Sequence, residues 1–421
     1  LLAGDRLNIL FLTLSNMEDI DERGIYTDLI RELADRQINV YVVSPREKRT
    51  NLPTEVTTKE KITILKVKTG NITKTKNFIE KGISTLLIEN QYLRAIKQYF
   101  KNIHFDMVMY STPPITFGKV IQYIKKKYHS KSYLILKDIF PQNAVDIQAM
   151  KQGSLLWRYF RHKEKKLYEM SDRIGCMSQG NVDYILNHNP FINRSKVEVF
   201  PNSIKPVERI IKTYKNRELL RKYNIPEEAT VFVYGGNLGR PQGIDFLLEV
   251  IENFHLVPQA YLLIVGSGTE YDKIYRHMIK VKPNNVGLYE KLPKNEYDQL
   301  LHIADVGLIF LDRRFTIPNF PSRITAYMEH SLPLLAATDK NTDVKDVLKE
   351  ANCGLWAESG DLETFLEHAK RLALDETLRR EMGSNGRDYL EEHYDISKTV
   401  NIILKHLQSG DETGCLKAKH Y

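Results

Sequence analysis

Short apolar runs alternate with amphipathic stretches along nearly the whole chain. Leu7–Ser15 (LNILFLTLS) reads as a buried first strand. An acidic loop, Met17–Glu22, follows, and Gly24 opens a helix with apolar positions at Ile25, Leu29, Ile30 and Leu33. Ile38–Ser44 is a second strand, with Pro45 expected to stop it, and Arg46–Lys59 reads as polar and irregular. Ile62–Val67, Met107–Tyr110, Tyr133–Leu136, Ile174–Met177 and Val197–Phe200 continue the strands. Helices are expected over 78–100, 115–128 and 155–170. After an exposed connection from Ile204 to Asn216 the same grammar restarts. Strands at Val231–Tyr234, Tyr261–Val265, Val286–Tyr289, Val306–Phe310 and Leu334–Ala337 alternate with helices, and helical patterns at 361–374, 376–391 and 396–407 close the chain.

Strands alternating with helices predict parallel sheets covered on both faces. The fold class expected is therefore α/β: two tandem doubly wound, Rossmann-like domains with a ligand cleft between them. The boundaries are 1–203 and 204–408, the last helix being allowed to pack back on the first domain. Residues 409–421 form a polar, patternless tail, expected to be disordered.

Composition narrows the class. At 421 residues the chain exceeds one ordinary core, and 42% hydrophobic with 27% charged residues is the balance of a globular protein. No apolar run reaches membrane-spanning length, and Leu1-Leu2-Ala3, followed at once by Asp5 and Arg6, does not read as a secretory leader. Cys176, Cys353 and Cys415 are widely spaced and odd in number, which fits a reducing cytoplasm better than a disulfide or zinc framework. The net charge of +8 is concentrated: Gln91–Met170 holds 15 Lys/Arg and 5 Asp/Glu, so it carries +10 and the remainder sums to −2. Its cations sit beside apolar and aromatic residues, as in 97–101, 120–127 and 157–161. Such stretches suit an anionic membrane surface or an anionic substrate, or else are solvated helix faces. Confinement of the charge to one window, without a recognised binding motif, argues against nucleic acid.

The strongest chemical signal is Thr230–Val250, an apolar strand running into Gly235, Gly236 and Gly239 before a helix. Glycines there permit close approach of a ligand, and free N–H groups at a helix start favour an anion such as a nucleotide diphosphate. An ordinary strand-to-helix turn explains the same pattern. Further markers follow in order: Phe200-Pro201-Asn202-Ser203, Gly266-Ser267-Gly268, Asn319-Phe320-Pro321-Ser322-Arg323 and Ser331-Leu332-Pro333.

With these markers the chain resembles the family-4 glycosyltransferases of GT-B fold, and among them the bacterial enzymes that build capsular and O-antigen polysaccharides. The resemblance covers nearly all of residues 7–407. It implies a retaining, metal-independent transfer of a hexose or N-acetylated amino sugar from a nucleotide sugar, with UDP the expected nucleotide. It also implies an acceptor glycan on a polyprenyl diphosphate at the inner membrane face, no cofactor, and a cytoplasmic or peripheral enzyme. Donor contacts are expected from Gly24, Gly236, Asn237, Arg240, Gln242, Gly266, Gly268, Leu292, Ser322 and Arg323. Arg240 and Arg323 offer planar forks for phosphate oxygens, and Ser322 stands at a helix start. Asp138, where many relatives have His, is the candidate catalytic residue, with Gln142 and Asp146 on the acceptor side. The chain departs from the family at a pair of glutamates, whose positions hold Pro318 and Ala326, leaving Glu329 as a candidate substitute. The basic residues common in the phosphate loop are replaced by Asn237 and Gln242, so Arg240, Arg313, Arg314 or Arg323 is expected to supply the charge. Two other readings share the fold: a nucleotide-sugar 2-epimerase and a non-catalytic sugar-nucleotide-binding partner.

Overall fold

The computed structural model describes residues 7–72, 78–209 and 216–408, with side chains left out at 78–83. The chain divides into two compact units. The first comprises the chain up to Val145, Met150–Lys205 and the stretch from Ile396; the second comprises Asp146–Ala149 and Pro206–Asp395. Ser409–Tyr421, expected to be disordered, lies outside the described residues.

The first unit is built on β1 (Asn8–Leu12), β2 (Asn39–Glu47), β3 (Glu55–Lys59), β4 (Ile62–Thr69), β5 (Met107–Ser111), β6 (Lys131–Leu136), β7 (Arg173–Cys176) and β8 (Val197–Val199). Their order in the sheet is β3-β4-β2-β1-β5-β6-β7-β8. All neighbours are parallel except the β3–β4 pair. Two expectations fail here. Pro45 does not stop β2, which continues to Glu47 against β4. Pairing with β1 ends at Val43, so beyond it the strand has one neighbour and a missing N–H is tolerated. The polar stretch taken as irregular holds β3, an edge strand whose five residues are all exposed and therefore show no apolar alternation.

The second unit carries β9 (Thr230–Asn237), β10 (Ala260–Ser267), β11 (Val286–Glu290), β12 (Val306–Phe310), β13 (Leu334–Thr338) and β14 (Gly354–Glu358), in the order β11-β10-β9-β12-β13-β14 and wholly parallel. Its core packs Phe246 on Phe310 and Phe310 on Phe365, at centroid separations of 6.1 and 5.5 Å. β9 also outruns its expected end. Gly235, Gly236 and Asn237 are not a turn but the last residues of the strand, paired with Val265, Gly266 and Ser267 of β10.

Helix boundaries follow local chemistry. Ser154, Ser178, Asp361 and Asp375 each accept a backbone N–H at a helix start. The last helix, Ile396–Gln408, belongs to the first unit. There the Ile396 N–H donates to the Ile204 carbonyl at 2.9 Å, and Lys131 Nζ donates to the His406 carbonyl at 2.6 Å.

Close backbone approach explains two glycines in β10 and just after it. A Cβ on Gly266 would lie 2.0 Å from the Gly236 carbonyl oxygen, and one on Gly268 would lie 2.2 Å from the Leu238 carbonyl oxygen. Gly266→Ala should therefore destabilise the second unit by about 3 kcal/mol, the upper end of ordinary overpacking costs. Urea unfolding measures it, and a loss below about 1 kcal/mol would mean that the strands part easily at this point.

Candidate active site

In the second unit, sheet order reverses between β9 and β12, and the candidate donor residues gather at the carboxyl end of β9. Gly236 has φ 129°, a conformation that favours glycine, and a Cβ there would stand 3.3 Å from Arg323 Nη2. Arg323 opens the helix Arg323–Glu329 and lays its guanidinium over the Tyr234 ring, 4.4 Å from the centroid. Tyr327, on the next turn, accepts the Gly235 N–H at 3.1 Å and donates to the Val233 carbonyl at 3.3 Å. The Tyr297 hydroxyl occupies the place of a side chain on Gly235, 1.8 Å from where a Cβ would stand. Burial pushes the phenols of Tyr234, Tyr297 and Tyr327 up, so all three stay neutral. Beside burial, the groups with the largest influence on the Arg323 charge are these tyrosines, and among the described residues its buried Nη1 has no hydrogen-bond partner. A desolvated cation with an open donor is a site for an anion.

In the first unit the order reverses between β1 and β5, and a cavity of about 390 Å³ opens at the carboxyl ends of β1, β2 and β5. It is lined by Thr13, Asn16, Glu18, Arg46, Arg49 and Thr112 among others. Its charged lining residues are already paired: Arg46 with Glu55 (2.7 Å), Glu18 with Lys66 (2.9 Å) and Arg49 with Glu47 (3.0 Å).

Two perturbed groups follow β6. Asp138 accepts from Asn143 Nδ2 at 2.6 Å on both oxygens, and its N–H donates to Thr112 Oγ1 at 3.2 Å. Desolvation pushes its pKa up to about 6, against the opposing hydrogen bonds of Asn143 and Ile139. Beside it in sequence, Lys137 hydrogen-bonds Asn202 and stands 5.7 Å from the Tyr26 ring centroid. Burial lowers its pKa to about 7. Neighbouring groups pushed toward neutrality from opposite sides are the kind of titration that functional sites show.

Comparison with known proteins gives the family and the fold. The family description "Glycosyltransferase Family 4" matches residues 25–208, and "Glycosyl transferases group 1" matches residues 215–389. The chain belongs to the family-4 glycosyltransferases. WbjE of Pseudomonas aeruginosa, named as a probable glycosyltransferase, is 24% identical over 265 residues, which span 62% of this chain and 65% of WbjE. The fold is GT-B. Sucrose-phosphate synthase from Thermosynechococcus elongatus superposes with a TM-score of 0.74 at 16% identity, covering 96% of this chain and all of that one. Anabaena HepE, solved with UDP-glucose, superposes with a TM-score of 0.68 at 13% identity, covering 96% and 100%.

Within this glycosyltransferase, the candidate donor residues do not all converge. Gly236 and Arg323 meet. Asn237 and Gln242 bond each other at 2.8 Å, and Gln242 also accepts the Gly239 N–H, so they brace the loop after β9. Arg240 is exposed and 3.7 Å from Glu270, while Arg314 is paired with Asp312 at 2.6 Å. Gly266 and Gly268 make room for the β9 main chain and the loop that follows it. Ser322 makes no capping hydrogen bond, and Leu292 is half-buried in the loop after β11. Gly24 precedes the helix Ile25–Asp35 in extended geometry, its N–H 3.3 Å from Asp28 Oδ1. Gln142 lines a second cavity of the first unit with Trp157 and Arg161.

The two candidate carboxylates already have backbone partners. Glu329, the candidate substitute for the family's glutamate, is buried, and its Oε1 accepts the Val207 N–H at 3.0 Å. Asp146, expected on the acceptor side, is buried among the Thr316 N–H and hydroxyl and the Ile317 N–H, at 2.7 to 3.3 Å.

Tyr234, Tyr297, Tyr327 and Lys137 were missed as site residues. Each reads in sequence as ordinary core or as a strand-end charge, and only the packing of helices Lys294–Ile303 and Arg323–Glu329 on β9 brings the three tyrosines together at its carboxyl end.

The Lys137 ammonium must be desolvated, so its folded pKa lies below its ordinary 10.5. The resulting cost is small above that ordinary value and grows as pH falls toward about 7. Lys137→Met should therefore raise the melting temperature by several degrees near neutral pH and by clearly less at about pH 10. Calorimetry at the two pH values checks this, and an equal gain at both would assign the effect to packing.

Proposed function

We propose that this glycosyltransferase moves a hexose or N-acetylated amino sugar from UDP to a growing glycan in bacterial surface-polysaccharide synthesis. The acceptor in this reading is carried on a polyprenyl diphosphate at the cytoplasmic membrane face. One observation carries the donor assignment: the Arg323 guanidinium held against Gly236 and over Tyr234 at the end of β9, its buried Nη1 without a hydrogen-bond partner among the described residues. Its positive charge and planar fork of donors suit two oxygens of a diphosphate. The UDP-glucose bound by the similarly folded HepE supports the choice of nucleotide.

In the reaction, the bond between the anomeric carbon and the diphosphate oxygen breaks, and a bond to the acceptor oxygen forms on the same face. The single acceptor proton passes either to the departing diphosphate or to the Asp138 carboxylate, and the pH profile below distinguishes the two. Arg323 stabilises the charge that grows on the leaving group, so neither metal nor cofactor is required in this scheme.

Calorimetry with UDP, GDP, dTDP and their sugars tests the donor site. One nucleotide should bind selectively, and Arg323→Ala should weaken it by about ten- to a hundredfold, the worth of a charge-assisted contact. Binding unaffected by the substitution would remove Arg323 from the donor site. Conversion of UDP-sugar to an epimer without acceptor would replace the transfer reading with a 2-epimerase.

The raised pKa of Asp138 gives a second expectation. If its carboxylate takes the proton, kcat/KM should fall as pH drops through about 6, and Asp138→Asn should abolish that acid limb. An unchanged limb in the variant would assign it to another group.

A further inference from the structure

The basic window resolves into three stretches of different character. In the helix Gly118–Tyr128 the apolar residues Val120, Ile121 and Ile124 are fully buried, while Lys125 pairs with Asp172 and Lys127 lies over Tyr128. That is an ordinary solvated helix face. Around 97–101, Phe100 is buried and Lys97 covers Tyr123, which leaves Tyr99 as the one exposed large apolar side chain.

The helix Leu155–Met170 differs. Leu155 is 85% exposed, Leu156 56% and Tyr159 41%, all within its first two turns. At helical spacing Leu155, Tyr159, His162 and Lys166 share one face, flanked by Leu156 and Lys163 on one side and Arg158 and Lys165 on the other. Its inward face is made by Glu164, Leu167 and Tyr168, all buried. The outward face thus has an apolar tip, cations behind it and Glu169 as its one exposed acid. Lys163 stands 5.7 Å from the Tyr159 ring centroid, and Lys165 stands 5.9 Å from that of Phe191, which is itself 44% exposed.

We propose that this helix is the element by which the first unit docks on an anionic bilayer, Leu155, Leu156 and Tyr159 entering the headgroup boundary while Arg158, Lys163 and Lys166 meet lipid phosphates. Exposed leucines gain nothing in water, and cations around an apolar tip with almost no acid complement an anionic surface. No helix among the described residues is long and apolar enough to cross a membrane, so attachment through this element is interfacial. The inference rests on the reading that the acceptor is lipid-linked, but its test contains neither donor nor acceptor.

Sedimentation of the full chain with phosphatidylcholine vesicles, with and without phosphatidylglycerol, provides that test. Binding should require the anionic lipid and weaken as salt is raised. Arg158→Gln with Lys166→Gln should cost more than tenfold, since each cation near such a surface is worth roughly fivefold. Leu155→Glu with Leu156→Glu should cost at least as much, and both double variants should keep wild-type nucleotide binding and melting temperature. Binding that is absent, is equal on both vesicle types, or is retained by the variants would overturn the proposal. Retention of UDP binding in that event would leave the donor reading standing. Capture of an acidic protein by the same face without vesicle binding would also overturn it, in favour of a protein partner.

Discussion

A guanidinium laid over a neutral ring and against main chain, with one donor nitrogen buried, is the constraint on which this end of the second unit depends. Arg323 lies over Tyr234, beside Gly236, with Tyr297 and Tyr327 close behind. Each neighbour is shaped by that crowding. Gly235 lacks a side chain because Tyr297 fills the space, and Gly307 lacks one because the Tyr327 ring lies 2.5 Å from where a Cβ would stand. Phenols shield the cation without neutralising it, whereas a carboxylate would cancel the field that an anionic ligand needs. The three tyrosines therefore hold the charge in place and leave it available.

The first unit solves a different problem with the same architecture. Its cavity lies where strand order reverses, as the Arg323 cluster does, but its charges are already paired across Arg46, Glu55, Lys66 and Glu18. A lining of paired donors and acceptors suits hydroxyl groups better than a formal charge. The perturbed pair Lys137 and Asp138 stands at the end of the neighbouring strand β6, where neither group is fully at home in its charged form.

Much of the architecture was legible because buried parallel strands announce themselves: Val231–Tyr234 and Leu334–Ala337 are apolar runs with no polar side to hide. What escaped was structure without apolar contrast, such as β3, and structure that contradicts a local rule, such as β2 passing through Pro45. Two candidate residues marked by motifs, Gly236 and Arg323, lie side by side in the folded chain. Carboxylates were harder. Asp146 and Glu329 carry the right chemistry in the right neighbourhood, yet both are taken up by backbone N–H groups that only the folded chain supplies. A spacing pattern cannot distinguish a carboxylate waiting for a ligand from one already satisfied.

The return of helix Ile396–Gln408 to the first unit has a consequence for how the chain is made. Nearly all of the second unit is one continuous stretch, complete by Asp395, whereas the first lacks a packing helix until residues almost two hundred positions beyond Lys205 have been synthesised. On a ribosome, the domain begun first is therefore the one finished last. Until then the surface that meets Ile204, Lys131 and Glu198 stays uncovered, and the later domain can condense while the earlier one is still open on that side.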